Sequence, residues 1–345
     1  MKQSRFPYLV DWAITDKCNL SCRHCRGFPA EELSTERAGR LVVEIAALKP
    51  GWVIVEGGEP LLRDDLFDIL GLMRRKQLEA HLITNGMLLS PRVMTALKRM
   101  GTKVMISIDG ATPATYEAIR SGASFEKVVE AAGNCAREGL LEAINFTILK
   151  SNYTEIPGIF ELAASVGVRK VTLIGFKPCH GYSEELLTAE EYEEAIRLTC
   201  QAAQETGVGF FFDEPFFWAL VKERGLSAQM PAIGTGILAP ATTACIFGEY
   251  LFIDTSGDVK PCSYAPMVLG NVKEKTLGEI WREVLASSFF QQVKDPGSRT
   301  GSCQGCQYIE ECKGCRSRTF MLTGDWFAAD PCCPLNLKLA IKEGG

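Results

Sequence analysis

Histidine is nearly missing from this sequence: His24, His81 and His180 are the only three in 345 residues. Mixed Cys/His zinc sites therefore have few ligands to draw on. Long apolar runs are missing too. The opening stretch holds no apolar segment of signal length, and no later run approaches the roughly eighteen apolar residues of a membrane span. No membrane partner and a cytoplasmic location are the expectation. Charge of one sign is not in excess either. A formal net charge of -5 gives no overall electrostatic footprint for nucleic acid or anionic lipid, so nucleic acid is not an expected partner. No low-complexity tract occurs. With 46% hydrophobic and 23% charged residues the composition suits a folded chain with a large core, and the length suits two unequal domains.

Sulfur is what the sequence has in unusual supply. Fourteen cysteines in a reducing compartment, tightly clustered, point to metal or iron-sulfur binding rather than to disulfides. From Leu9 to about Ile174, six short β-rich apolar runs (LVDWAIT, WVIVEGG, AHLITNG, KVMISIDG, AINFTILK, KVTLIG) alternate with amphipathic helix-like stretches. That alternation predicts parallel strands with helical crossovers, an α/β fold of the open or partial barrel kind. Chemistry in such barrels gathers at the C-terminal strand ends, where CNLSCRHC, GGEP, TNG and SIDG fall. A helix over LTAEEYEEAIRLTCQAAQETG and an aromatic strand broken at Pro215 follow. The Gly/Ala/Pro-rich segment 225–244 reads as a linker or active-site loop. Cys135 and Cys200 fall within helix-like segments and read as buried apolar residues.

Cys18, Cys22 and Cys25, spaced CxxxCxxC, directly follow the first strand. Three thiolates on one loop can hold three irons of a 4Fe-4S cube and leave the fourth without a protein ligand. A structural zinc site wants four closed ligands. The loop resembles that of the radical S-adenosylmethionine (SAM) superfamily, in which the open iron chelates SAM. In that resemblance Gly57, Gly58, Glu59 and Pro60 correspond to the GGEP motif lying against SAM. Ser107 and Asp109 of SIDG, and Arg120, look like SAM-contacting residues, with Arg120 assigned to the SAM carboxylate. Asn85, between Thr84 and Gly86, is a further cofactor contact or only a turn. His24 is expected to pack beside the cluster.

Cys245, Cys262, Cys303, Cys306, Cys312, Cys315, Cys332 and Cys333 crowd the last part of the chain. Their spacing resembles the SPASM domain, an auxiliary iron-sulfur module of radical SAM enzymes, although Cys312 and Cys315 stand one residue closer than its common form. The resemblance implies two auxiliary 4Fe-4S clusters. One takes Cys245, Cys262 and Cys315, and the other takes Cys303, Cys306, Cys312 and either Cys332 or Cys333. The first is expected to keep an open iron unless the adjacent pair is split between the two. A pair of zinc ribbons is the alternative for these thiols.

The resemblance also implies a partial (β/α)6 TIM-like barrel followed by a small cysteine-rich α+β domain, divided as 1–200, 201–244 and 245–345. It implies an enzyme that cleaves SAM reductively to a 5'-deoxyadenosyl radical and takes hydrogen from a substrate. A peptide or protein substrate is the first expectation. A tetrapyrrole, as in alternative haem and haem d1 synthesis, is the second, and a non-catalytic iron-sulfur electron carrier is the reading of another class. A low-potential ferredoxin or flavodoxin is the expected electron donor. Cys179, His180, Asp213 and Glu214, just beyond strand candidates, are the candidates for substrate contact or proton transfer.

Overall fold

The computed structural model describes residues 6–27, 29–178, 183–226 and 245–336. Its strands in chain order are β1 (Leu9–Ala13), β2 (Ser21–Cys22), β3 (Trp52–Glu56), β4 (Ala80–Thr84), β5 (Lys103–Ser107), β6 (Arg120–Ser121), β7 (Leu141–Ile148), β8 (Lys170–Gly175), β9 (Gly209–Asp213), β10 (Leu251–Ile253), β11 (Asp258–Lys260) and β12 (Gly270–Asn271). All six expected runs are strands, and helices separate them. The chain forms two compact units that interleave along the sequence. One comprises Met1–Ser107, Arg120–Glu142 and Phe247–Gln291, the other Ile108–Ile119, Ala143–Ile246 and Gln292–Gly345.

In the first unit β1 lies parallel to both β3 and β10, with Val10 opposite Val53 on one side and Leu251 on the other. β4 and β5 continue the parallel series beyond β3, and β11 and β12 close the other edge antiparallel. A strand flanked on both edges and covered on both faces reads as a continuous apolar run, and every residue of LVDWA is buried. Asp11 is the one charge in that run. A separate antiparallel ribbon joins β2 to β6, pairing Cys22 with Arg120. The helix Thr35–Leu48 starts at the Ser34 hydroxyl, which accepts the Arg37 N–H, and the helix Leu277–Ala286 starts in a capping box built on Thr276 and Glu279.

In the second unit β7, β8 and β9 run parallel, with Phe146 opposite Leu173 and Leu173 opposite Phe212. The aromatic run beyond Pro215 is not strand. β9 stops at Asp213 and Phe217–Glu223 is helical. That helix stacks Phe217 on Phe212 at 5.0 Å between ring centroids and sets it edge-on to Phe210 at 5.6 Å. The expected helix is Ala189–Thr206, opened by a Thr188–Glu191 capping box and closed by Gly207 in the left-handed region.

Candidate functional site

The backbone that enters the first cysteine loop is fixed by the segment after β3. The Gly58 N–H donates to the Thr15 carbonyl and the Glu59 N–H to the Lys17 carbonyl, both at 2.8 Å. A Cβ on Gly57 would stand 2.4 Å from the Thr15 carbonyl oxygen, and one on Gly58 would stand 2.3 Å from that of Lys17. Both glycines are therefore required by the chain's own approach to Cys18, a reason separate from any contact with a cofactor.

Around that approach the side chains converge. The buried Glu59 carboxylate accepts the Thr84 hydroxyl and the Asn85 N–H at 2.8 Å each, and the Leu61 N–H at 3.2 Å. Burial pushes its carboxyl up, and those donors and Arg120 pull it back. Pro60 opens a short 3-10 turn that Arg63 ties to the Ile14 carbonyl at 2.5 Å. Asn85 does more than close a turn: its amide donates to the Asn19 side chain at 2.9 Å and faces the Cys18 sulfur at 4.0 Å.

Each thiol of the loop is met by a different N–H group. Leu20 donates to Cys18 and Gly27 to Cys25, both at 3.4 Å, and the Arg120 guanidinium reaches the Cys22 sulfur at 3.7 Å. Donors aimed at sulfur stabilise thiolates, the form in which cysteine binds iron, so the loop fits a cluster. Arg120 owes its position to the β2–β6 ribbon. Ser107 ends β5 and is partly buried. Asp109 belongs to the other unit, where its carboxylate accepts the Thr147 N–H at 2.7 Å and its carbonyl accepts the Asn152 amide. His24 is partly buried on the loop.

A second group in the first unit has no counterpart among the expected site residues. Arg26, next to Cys25, pairs with Glu56 and lies over the rings of Phe252 at 5.2 Å and Tyr264 at 5.3 Å. Tyr250 accepts the Ser263 N–H at 2.7 Å, beside Cys262. Asp11 is buried with its Oδ1 unbonded, and burial pushes its carboxyl up to about 7 against the pull of Arg26. The one signal for this group in the sequence is an aspartate inside an otherwise apolar strand.

In the second unit seven of the later cysteines occur together with buried arginines. The Cys306 N–H donates to the Cys303 carbonyl at 3.2 Å, the Cys245 N–H to the Cys312 carbonyl at 3.3 Å, and the Gly314 N–H to the Cys312 sulfur at 3.4 Å. Arg316 donates to the carbonyls of Trp326 and Ala328, and Arg299 to that of Lys313. Burial, with the charge of Arg316 next, lowers Arg299 to about 10. Buried cations beside buried thiols suit an anionic occupant such as a thiolate-ligated cluster. Among the described residues no three His, Cys, Asp or Glu side chains converge at the spacing of a single metal ion, and a four-iron cube with a thiolate at each corner asks for a wider set.

Arg318 grips Asp330 with two bonds, 3.0 and 2.6 Å, and reaches Glu214 at 2.6 Å. Lys177 stands 3.6 Å from Glu214 and 3.2 Å from Asp213. Glu214 is thus fully buried and committed to Arg318, Lys177 and Tyr192, in a space that exists because residue 175 is glycine: a Cβ there would stand 1.7 Å from its Oε1. Asp213 is half exposed at the end of β9. Cys179 and His180 lie outside the described residues, as does nearly all of the 225–244 segment. Cys135 and Cys200 are buried in helices, and burial pushes each thiol up to about 11.

Among the described residues no helix is long and apolar enough to cross a membrane. Residues 12–163 match the Radical SAM superfamily model and residues 245–316 match that of the SPASM iron-sulfur cluster-binding domain. The AdoMet-dependent heme synthase of Methanosarcina barkeri is 30% identical over 95% of this chain and 96% of its own. The pre-heme d1 synthase of Dinoroseobacter shibae is 29% identical over 95% and 86%. Among solved structures, Streptococcus suis SuiB bound to precursor peptide SuiA superposes with a TM-score of 0.76 at 14% identity, covering 96% of this chain and 76% of that one. The mixed α/β fold with its parallel sheet is therefore shared with that protein. The cysteine loop with its sulfur-directed donors, the buried later thiols and the likeness along the whole chain agree, and this protein belongs to the radical SAM superfamily, as a SPASM-domain enzyme that uses SAM and 4Fe-4S clusters.

Proposed function

We propose that this radical SAM enzyme acts on the side chains of a tetrapyrrole. The carrying observation is that its likeness to the heme synthase of Methanosarcina barkeri runs through both the cysteine-loop part and the later cysteine-rich part of the chain. This supports a tetrapyrrole over the peptide that the SPASM pattern alone suggests.

SAM and its cluster, when bound, supply one-electron cleavage of SAM and removal of a hydrogen atom from a substrate C–H bond. The chain's own residues do the rest. Cys18, Cys22 and Cys25 hold three irons, and Arg120, whose guanidinium reaches the Cys22 sulfur, takes the SAM carboxylate. Gly57, Gly58, Glu59, Pro60 and Asn85 fix the backbone on which SAM rests, and Ser107 offers a hydroxyl at the end of β5. Asp11, with its raised carboxyl, holds or releases a proton near neutral pH. Asp213 remains a candidate for substrate contact, whereas Glu214 is assigned to the buried ion network. The later cysteines hold two auxiliary 4Fe-4S clusters, and a low-potential ferredoxin or flavodoxin supplies electrons.

The test is anaerobic incubation of the reduced, reconstituted protein with SAM and either a side-chain-deuterated iron porphyrin or deuterated peptides. Deuterium should enter 5'-deoxyadenosine from the porphyrin, with a matching mass change in the porphyrin. Transfer from peptides alone would return the enzyme to the maturase class.

A further inference from the structure

We infer that the adjacent cysteines are divided, Cys332 joining the cluster of Cys315 and Cys333 joining that of Cys303, Cys306 and Cys312, with the Asp330 carboxylate as the clamp that parts them. The inference rests on the reading that these thiols hold two auxiliary clusters.

The clamp is explicit in the hydrogen bonds. One oxygen of Asp330 accepts the Cys315 N–H at 3.0 Å and the other accepts the Cys332 N–H at 3.2 Å. The two cysteines therefore bracket a single carboxylate, although sixteen residues, the helix Arg316–Thr323 among them, lie between them in the chain. Arg318 holds both oxygens from the far side, and its own guanidinium is fixed by Glu214 and flanked by the rings of Tyr192 and Phe216 at 5.5 and 5.4 Å. A carboxylate held by four hydrogen bonds cannot swing, so the spacing of the Cys315 and Cys332 backbones is set before any cluster arrives.

The charged surroundings agree with the hydrogen bonds. Arg318, Glu214 and Lys177 all act on the Cys332 thiol, and the same three act on Cys315, which also feels Cys245. Cys333 shares Asp330 with Cys332 but otherwise feels Cys303 and Cys306, and Cys312 in turn feels Cys333 and Cys303. The turn that separates the pair is closed by the Cys333 N–H on the Asp330 carbonyl at 3.1 Å. Both thiols are buried, so neither is a spare surface cysteine. Cys332 thereby adds a fourth thiolate to the three that the SPASM pattern gives the cluster of Cys315. That cluster becomes a closed electron-transfer site with no iron left for substrate, the reverse of the expectation from sequence.

The test uses the full chain with Cys18, Cys22 and Cys25 replaced by alanine, so that only auxiliary clusters contribute to the spectra. Cys332→Ser and Cys333→Ser should each alter a different reduced-state electron paramagnetic resonance signal, with circular dichroism confirming the fold. A measurement without further substitution accompanies them: 13C-cyanide should leave both signals unbroadened, because no iron is open. The inference is overturned if only one serine variant changes a signal, if both change the same one, or if cyanide broadens either. A parent variant that takes up no iron at all would overturn the cluster reading and the inference together, an outcome distinct from the other three.

Discussion

Cys18, Cys22 and Cys25 lie on one short loop, two of them exposed and each capped by an N–H from nearby backbone or from Arg120, whereas Cys303, Cys315, Cys332 and Cys333 are buried beside Arg299, Arg316 and Arg318, the last of them bonded to Glu214 104 residues earlier. The first arrangement takes all its thiols from one loop and leaves a side accessible to a small molecule. The second is assembled by tertiary structure and shuts water out. A site that must admit SAM and a site that must only hold a charged group in the interior thus differ in burial, in how widely their thiols are spread along the chain and in what holds them together.

The largest contrast should appear when the buried frame is broken. Arg318→Met leaves the carboxylates of Glu214 and Asp330 buried without their main partner, and losing one member of such a network costs about 3–5 kcal/mol. Lys98→Met, which removes an exposed pair with Glu138, should cost no more than about 1 kcal/mol. Urea unfolding of the two variants checks the difference, and equal losses would show that the buried network does not hold the second unit.

A pH dependence separates the interior of the first unit from its loop. The folded Asp11 carboxyl, at about 7, lies above its unfolded value of about 3.9. The fold therefore holds this proton more tightly than the unfolded chain does. Its contribution to stability is complete below about pH 4, declines as pH rises toward about 7 and is level above that. Asp11→Asn lacks the decline, so relative to the parent it should gain up to about 4 kcal/mol between pH 4 and pH 8, at about 1.4 kcal/mol per pH unit. Parallel stability curves for the two proteins would contradict the raised carboxyl.

The smallest effect belongs to the open loop. Arg120→Ala should weaken SAM binding by about 1.5–3 kcal/mol, the range of a charged hydrogen bond, and leave the iron content unchanged. Calorimetric titration of the reconstituted variant reads this directly. Unchanged affinity would confine Arg120 to its contact with the Cys22 sulfur.

Local spacing made the first site legible in the sequence. CxxxCxxC and GGEP are contiguous, and the strands beside them are buried apolar runs. What escaped depends on pairings far apart in the chain. β10 joins the edge of β1 across 240 residues with no signal in either segment. Glu214, a candidate for substrate contact or proton transfer from its place at a strand end, is bonded to an arginine 104 residues later. The glycines of GGEP were legible as required, but the backbone that requires them, Thr15 to Lys17, was not. Arg26 and Asp11 went unread because their neighbours Phe252, Tyr250 and Tyr264 arrive from the cysteine-rich part of the sequence.

The division of labour between the two cysteine regions is tested most directly by replacing Cys18, Cys22 and Cys25 together with alanine and measuring iron and 5'-deoxyadenosine on the same anaerobic preparation. The account predicts no 5'-deoxyadenosine with dithionite and SAM, and about eight irons retained, four for each auxiliary cubane. Undiminished SAM cleavage, or loss of all iron, would contradict it.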